Sequence, residues 1–212
     1  MATVRFNISV SLDGFVAGPN PSEQDALGEG GMALHEWAFE LAAWREPHGR
    51  EGGEVNASTA VMQEMLDGVG AVVMGRKMFG GGPGPWGDEP WEGWWGEEPP
   101  FHVPVFVVTH HAREPLQKRG TTFHFVTDGP ESALAQARQA AGGGDVSVGG
   151  GAEVAQQLLA AKLIDEFTLS VVPVMLGGGT RLLDNLGSGL ELQQADVVAA
   201  PGVTHLKYRV VS

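Results

Sequence analysis

The sequence predicts an α/β fold in which helices pack on a sheet whose edge strands run antiparallel. Three observations support this prediction. Strands and helices alternate through the middle of the chain, the strands expected at residues 71–74 and 103–109 are apolar on both faces, and two strands follow one another directly at the C-terminus. Runs that are apolar on both faces are typical of buried parallel strands, because helices cover both sides of such a sheet.

The sequence of the N-terminal third predicts one strand and two helices. Residues 3–12 are rich in β-forming residues and end at an Asp-Gly pair, which favours a tight turn. Apolar residues at positions 32–44 recur near helical spacing and predict a helix within an otherwise polar, glycine-rich region. A second helix is expected over residues 59–66, with Asn56 or Ser58 as its N-cap.

Residues 80–100 are the part of the chain that fits no regular element. Their sequence, GGGPGPWGDEPWEGWWGEEPP, holds four tryptophans among glycines, prolines and acidic residues. Proline and glycine disfavour a regular helix or a central strand, and the segment is too aromatic for a free linker. We therefore expect an ordered insertion that packs on the body of the protein or on a partner.

The second half of the chain continues the alternation with five elements: a strand at 123–127, a helix at 132–141, a strand at 145–148, a helix at 153–162 and a strand at 164–174. Residues 190–199 and 204–211 flank an Ala-Pro-Gly turn and predict a terminal hairpin. The sequence shows no internal repeat and no domain boundary. We expect one domain over residues 1–212, with insertions near 19–55 and 80–101.

Composition excludes several classes of function. The chain has 212 residues and a formal net charge of −13, whereas nucleic acids and anionic membranes attract basic surfaces. It has no cysteine, which removes disulfides, thiol nucleophiles and Cys-ligated metals, and His110-His111 has no third ligand at a recognisable spacing, so no metal site is expected. No apolar run reaches about 18 residues and the N-terminus has no secretion pattern, so we expect a cytoplasmic protein.

Three predicted strands are each followed by residues suited to binding a phosphate, namely Gly75-Arg76-Lys77, Thr109-His110-His111 and Gly149-Gly150-Gly151. In open α/β sheets, ligands bind outside the carboxyl ends of parallel strands. Glycines there let backbone N–H groups approach a phosphate, and a following helix adds a favourable dipole. Any one glycine cluster is also typical of an ordinary turn, so the prediction of a nucleotide-phosphate site depends on the three occurring together.

Five segments, in order along the chain, resemble the dihydrofolate reductase superfamily, and more closely its branch related to the C-terminal reductase domain of the riboflavin-biosynthesis deaminase/reductase (the RibD C-terminal type). They are SLDGFVA at 11–17, VVMGRKMF at 72–79, VFVVTH at 105–110, VSVGGGAE at 146–153 and LIDEFTLSVVPVMLGGGTRL at 163–182. The resemblance spans nearly the whole chain. It implies a three-layer α/β/α dihydrofolate-reductase-like fold, with a central mixed, mostly parallel sheet and an antiparallel C-terminal edge hairpin.

The resemblance also implies an activity and a cofactor site. The implied activity is a reductase that takes a hydride from NADPH and acts, as a homodimer, on a small pyrimidine- or pterin-like heterocycle, similar to 5-amino-6-(5-phosphoribosylamino)uracil reductases. By likeness, the 2′-phosphate and adenosine phosphate are expected at Gly75, Arg76, Lys77, Thr109 and His110. The pyrophosphate is expected at Gly149, Gly150, Gly151 and Ala152, and the nicotinamide carboxamide near Ser9, Val16 and Ala17.

The sequence departs from the family pattern at the substrate side. Pyrimidine reductases carry an acidic residue where this chain has Gly149, and a D-D-P-x-L-x-x-R-like segment where it has residues 81–86. The proton donor is not identified, and Asp13 and Glu36 are the candidates. A non-catalytic nucleotide-binding or interaction protein on the same fold is the main alternative, and a flavodoxin-like nucleotide binder is a further one.

Overall fold

The computed structural model describes residues 2–22, 25–184, 186–187 and 189–211. Residues 23 and 24, within the insertion expected near 19–55, lie outside this description. In chain order the elements are β1 (Val4–Ser11), β2 (Phe15–Ala17), α1 (Glu36–Phe39), α2 (Ala42–Arg45), α3 (Ala57–Leu66), β3 (Val69–Gly75), α4 (Arg76–Phe79), β4 (Val105–Val108), β5 (Leu116–Lys118), β6 (Thr121–Val126), α5 (Pro130–Ala140), β7 (Asp145–Gly150), α6 (Ala152–Ala160), β8 (Glu166–Val172), β9 (Thr180–Arg181), β10 (Glu191–Ala200) and β11 (Val203–Val211). Across the described ranges, no helix is long and apolar enough to cross a membrane.

Within the described residues, nine strands form one sheet in the order β10-β11-β8-β1-β7-β3-β4-β6-β5. The strands from β8 to β6 in this order run parallel, whereas the hairpin β10-β11 and the short strand β5 are antiparallel. This confirms the predicted mixed, mostly parallel sheet with an antiparallel C-terminal edge hairpin. The placement of β7 between β1 and β3 differs from the flavodoxin-like order, so that alternative is wrong.

Helices cover both faces of the sheet, as the alternation of side chains along β1 shows. Val4 and Phe6 are buried in the largest apolar core, which includes side chains of α5 and α6. Arg5 lies between them and points to the opposite face, where its guanidinium donates to the carbonyl oxygens of Glu64 and Asp67 at the end of α3. The three layers are therefore α5 and α6, the sheet, and α3 with its neighbouring segments.

The tryptophan-rich segment, residues 80–101, packs on the sheet as an ordered insertion without helix or strand. Trp86, Trp91 and Trp95 contact a second apolar core built on β3, β4 and β6. Lys118 of β5 ties the segment to the sheet edge through ion pairs to Glu92 at 2.6 Å and Glu97 at 2.8 Å. The segment therefore completes the layer that contains α3, as expected from its aromatic content.

The single helix predicted over residues 32–44 is wrong. The chain forms a 3₁₀ helix at Gly31–Leu34, then α1 and α2, and Leu41 between them is extended, with φ −76° and ψ 135°. The break occurs because Glu54 pairs with this point: its N–H donates to the carbonyl of Glu40, and its own carbonyl accepts from Ala42. The remaining predicted helices and strands are present with shifted ends, whereas the sequence did not predict β2, α4, β5 or β9, which have two to four residues each.

Candidate functional site

The three segments expected to bind phosphate meet at one edge of the sheet. The strands β7, β3 and β4 are neighbours and run parallel, with Met74 opposite Gly150 and Gly75 opposite Val108. Their carboxyl ends therefore lie side by side, and Gly75, Thr109 and the glycines 149–151 follow directly from them. Three distant parts of the sequence thus form one continuous edge.

Beside this edge the sheet opens between β1 and β7. The two strands are paired only from Val4 to Phe6, whereas β1 continues to Ser11 and stays paired with β8 on its other side. The crossover after β1 runs over one face of the sheet and the helices after β6 and β7 lie on the other, so the opening is at the topological switch of the sheet. Such a crevice outside the carboxyl ends of parallel strands is the usual ligand position in open α/β sheets.

A glycine loop joins β7 to α6 and packs against the end of β3. Gly151 has φ 66° and ψ 121°, which residues with a Cβ rarely adopt, and a Cβ built on it would lie 3.8 Å from the Cα of Gly75. The first N–H groups of α6 lack partners within the helix, so its N-terminus attracts an anion. Ala152, the first residue of α6, is buried behind this loop.

Met78 provides a second structural reason for glycine at positions 149 and 150. Its sulfur would lie 3.2 Å from a Cβ built on Gly150 and 3.4 Å from one built on Gly149. Larger side chains at these positions would therefore displace the thioether. The two glycines accommodate Met78 whether or not a ligand binds, which the sequence alone did not reveal.

Lys77 lies across this loop from β3 to α6. Its ammonium forms an ion pair with Glu153 at 2.9 Å, and the two side chains are 71% and 68% exposed. An exposed pair of this kind contributes about 0–1 kcal/mol. A phosphate that binds at the N-terminus of α6 can therefore compete with Glu153 for Lys77 at little energetic expense.

Arg76 is held more firmly than the sequence predicted. Its Nε and Nη2 donate to the carbonyl oxygens of Gly80 at 2.9 Å and Gly81 at 2.7 Å, and Nη1 lies 3.4 Å from the hydroxyl of Thr109. Burial, followed by the nearby charge of Arg113, lowers the pKa of Arg76 to about 10, so the guanidinium stays charged at neutral pH. Within the part of the chain that the structure describes, these contacts leave one N–H on each Nη without a partner.

Thr109 and His110 differ in their access to solvent. Thr109 is buried, and its hydroxyl accepts from the backbone N–H of His111 at 3.2 Å as well as facing Arg76. His110 is exposed. His110 is therefore the more accessible member of this pair, and Thr109 mainly links the ends of β3 and β4.

Ser9 and the β2 strand flank the opening on the side of β1. The hydroxyl of Ser9 is buried and accepts a hydrogen bond from Trp37 Nε1 at 3.1 Å. Val16 is buried in the main core, and Ala17 is half-buried next to Gly179, where β2 pairs with β9. The structure thus places these three residues near the opening, but it covers the Ser9 side chain with Trp37.

The two carboxylates considered as proton donors have different surroundings. Asp13 accepts from the Ser11 hydroxyl at 2.6 Å and from the N–H groups of Leu176 and Gly177, and the Ser11 hydrogen bond is the main cause of a pKa lowered to about 2. These contacts make Asp13 a link between the β1–β2 turn and the loop after β8. Glu36 is the exposed first residue of α1.

A buried polar network that the sequence did not predict lies under α3. Ser9, Ser170 and His205 are opposite one another on β1, β8 and β11. His205 is 2% exposed, its Nδ1 lies 2.9 Å from the Ser170 hydroxyl, and its Nε2 lies 2.9 Å from the hydroxyl of Ser58 on α3. Burial lowers its pKa to about 4, so the ring is neutral at pH 7. No local sequence signal identifies this network, because its members are far apart in the chain.

The chemical types of the residues present fit a phosphorylated dinucleotide. The α6 N-terminus offers backbone donors, and Lys77 is held only weakly by Glu153. Two N–H groups of Arg76 make no hydrogen bond to any described residue. The fit is less favourable at Ser9 and Thr109, whose hydroxyls are already engaged within the protein.

Comparison with known proteins shows which family and which solved structures this chain is similar to. A family model described as the RibD C-terminal domain matches residues 2–206. No curated protein matches the chain in sequence.

Several solved structures share the fold. A putative riboflavin biosynthesis protein from Shewanella sp. PV-4 aligns over 100% of both chains with 21% identity and a TM-score of 0.59. The riboflavin biosynthesis reductase Rib7 of Saccharomyces cerevisiae aligns over 100% of this chain and 89% of its own, with 14% identity and a TM-score of 0.53. An Enterococcus faecalis dihydrofolate reductase complexed with NADP(H) gives 12% identity, 99% and 97% coverage and a TM-score of 0.50. At these identities the likeness shows the fold, and it confirms the predicted dihydrofolate-reductase-like architecture.

Proposed function

Because the chain belongs to the RibD C-terminal domain family, as its motifs predicted, we propose that it is an NADPH-dependent reductase of a small molecule. The proposed substrate class is a pyrimidine- or pterin-like heterocycle. Support for reduction comes from the family and from neighbours that are reductases by name. The departures at Gly149 and at residues 81–86 are the reason to test heterocycles more widely than the phosphoribosylaminouracil alone.

One observation carries the proposal of the cofactor. The carboxyl ends of β7, β3 and β4 are adjacent and bring the glycine loop before α6 together with Lys77 and Arg76. In a chain of net charge −13, cations at this edge favour an anionic ligand over the rest of the surface. The opening between β1 and β7 lies beside this edge and gives the nicotinamide end of a dinucleotide a place next to the phosphates.

In this proposal the protein itself positions groups and excludes water. NADPH, when bound, supplies the hydride from its nicotinamide ring. The glycine loop, the α6 N-terminus and Lys77 hold the pyrophosphate, and the free N–H groups of Arg76 hold the 2′-phosphate. Val16 and Ala17 would border the nicotinamide, and the burial of Val16 in the core would help to fix the distance to a substrate.

A titration of the wild-type protein with NADPH and with NADH tests the proposal, together with the Arg76→Ala variant. We expect wild-type protein to bind NADPH with a Kd below about 1 mM, equivalent to about 4 kcal/mol. Arg76→Ala should weaken NADPH about tenfold or more and NADH much less, because only NADPH carries the 2′-phosphate. Arg138→Ala, an exposed arginine on α5, serves as the control.

Two results would contradict the proposal at different levels. No NADPH binding below about 1 mM would remove the cofactor assignment. Equal losses for NADPH and NADH in Arg76→Ala would separate Arg76 from the 2′-phosphate and leave it as a residue that holds the carbonyls of Gly80 and Gly81.

A non-catalytic nucleotide-binding protein is a second candidate, favoured by two observations. Trp37 covers Ser9 beside the opening, and the buried network of Ser58, His205 and Ser170 contains no carboxylate to act as a proton donor. NADPH oxidation followed by absorbance with a panel of pyrimidines and pterins separates the two functions. Turnover of any of these compounds supports the reductase, whereas NADPH binding without oxidation across the panel supports the non-catalytic function.

We further propose that the chain is one reductase domain with insertions near 19–55 and 80–101, and that it forms a homodimer. Leu169, Leu206 and Val197 form an apolar row across β8, β11 and β10 on the face opposite α3. On the edge strand β10, Val197 is 46% exposed and Leu192 is 41% exposed. A second copy of the chain would bury this row. The cytoplasmic location stays a prediction.

A further inference from the structure

Two guanidinium groups lie against one tryptophan at the ends of β3 and β4. The Cζ atoms of Arg76 and Arg113 are 3.1 Å and 4.6 Å from the ring centroid of Trp86. The indole is fixed in place, because its Nε1 donates to the carbonyl of His111 at 2.8 Å and its ring makes edge contacts with Phe79 and Phe125. The fixed indole ring of Trp86 therefore holds both cations at this edge through cation–π contacts.

No carboxylate of the described residues lies within 4.0 Å of either guanidinium. Arg113 donates to the carbonyl oxygen of Trp91 at 2.7 Å. Glu92 is the carboxylate that acts on Arg113 electrostatically, and it is ion-paired with Lys118 at 2.6 Å. Among the described residues, the two cations thus lie close together without a direct counter-ion, although the chain is strongly acidic.

Burial and mutual repulsion make this arrangement unfavourable without an anion. Burial lowers the pKa of Arg113, and the charge of Arg113 adds to burial in lowering that of Arg76. Among the described residues, Arg113 uses one N–H group on Trp91 while its guanidinium packs on the rings of Trp86 and Phe125, and its other N–H groups and two of Arg76 make no hydrogen bond. A phosphate monoester, with about −1.5 to −2 charges, would neutralise both cations and accept from both.

We propose that Arg113 is a specificity-determining residue that binds the cofactor's 2′-phosphate together with Arg76, with Trp86 holding the two guanidinium groups in place. This inference rests on the proposed function and deepens it. It assigns a role to the tryptophan-rich segment: the segment supplies Trp86 and so builds part of the cofactor site as well as covering the sheet.

The test uses adenosine 2′,5′-bisphosphate and adenosine 5′-monophosphate as probes, measured by calorimetry with the full chain at low salt. Wild-type protein should bind the bisphosphate at least about tenfold more tightly than the monophosphate. Arg113→Gln should reduce this ratio about tenfold, the loss expected for a charge-assisted contact, and leave the monophosphate affinity within about twofold. Arg113→Lys should retain part of the ratio, since it keeps the charge without the planar donor pair.

The matched control is Arg119→Gln, an exposed arginine between β5 and β6 that is paired at 2.9 Å with Glu98 of the tryptophan-rich segment. A variant that has lost its fold no longer binds either probe. The ratio of the two affinities therefore separates a loss of specificity from a loss of stability. A ratio in Arg113→Gln equal to that of wild type overturns the inference, and the proposed function survives if NADPH still binds. A wild-type protein that binds neither NADPH nor the bisphosphate removes the proposed function and the inference with it.

Discussion

His205 offers the sharpest test of the buried network, through the dependence of stability on pH. Its ring is 2% exposed and hydrogen-bonded at both nitrogens, and its pKa in the folded protein is about 4, against 6.5 for an ordinary histidine. Between these two values the unfolded chain binds a proton that the folded protein does not. The free energy of unfolding must therefore fall as the pH falls from about 6.5 towards 4.

The magnitude follows from the size of this shift. At about 1.4 kcal/mol per pKa unit, the full difference of pKa corresponds to about 3 kcal/mol. About 2 kcal/mol of it should be lost between pH 7.5 and pH 5, before the folded protein itself becomes protonated. At pH 7.5, His205→Gln should be less stable than wild type by about 1–3 kcal/mol, because Ser58 and Ser170 lose a buried partner.

Urea unfolding of wild type and His205→Gln at a series of pH values measures this prediction. The free energy of unfolding of wild type minus that of His205→Gln should fall by about 2 kcal/mol from pH 7.5 to pH 5. Burial also lowers the pKa of His35, but both proteins keep that residue, so it cancels in the difference. Gln157→Ala, at an exposed position on α6, changes no titratable group and should give a curve parallel to wild type. Parallel curves for His205→Gln and wild type would refute the assignment of a neutral, buried imidazole.

Two further predictions concern stability and assembly. Gly179→Ala should lower the free energy of unfolding by more than about 2 kcal/mol, because φ is 116° and the new Cβ would lie 2.0 Å from the carbonyl oxygen of Ala17. Gly177→Ala, with φ 70° and open space, should lower it by only about 1–2 kcal/mol, and equal losses would contradict this reasoning. Val197→Asp should convert the proposed dimer to a monomer of 22.3 kDa, measured by light scattering. Leu66→Asp, at an exposed position on α3, should leave the dimer intact. A wild-type protein that is a monomer would exclude the dimer.

Local chemistry accounts for the elements that the sequence predicted correctly. The helix α3 begins at Ala57, two residues before its predicted start, and its N-cap is Asn56, one of the two expected. Asn56 accepts from the N–H of Ser58, and the Thr59 hydroxyl accepts from the N–H of Asn56 in return. The apolar runs of β3 and β4 became adjacent parallel strands, since only a doubly covered sheet buries both faces. The predicted helix over residues 32–44 failed because its break depends on pairing with Glu54, which helical periodicity does not record.

At the candidate site, too, the sequence indicated some features and missed others. The sequence indicated which residues could contact a phosphate, because glycine, arginine and lysine directly after strands are local signals. It did not indicate that Arg76 is already bonded to Gly80 and Gly81, or that the Ser9 hydroxyl is covered by Trp37. Those contacts are made by side chains of segments that have no periodicity of their own.

Local sequence patterns were enough to predict the class of fold, the order of its main elements and the three strand ends whose residues are suited to binding a phosphate. These properties follow from short-range patterns: hydrophobic period, capping residues and glycine after a strand. The tertiary structure alone decided that β7 enters between β1 and β3, that the sheet opens beside it, and that Arg113 and Trp86 join Arg76 at that edge. The physical reason is that strand order and side-chain packing depend on which distant surfaces bury one another, and no local pattern contains that information.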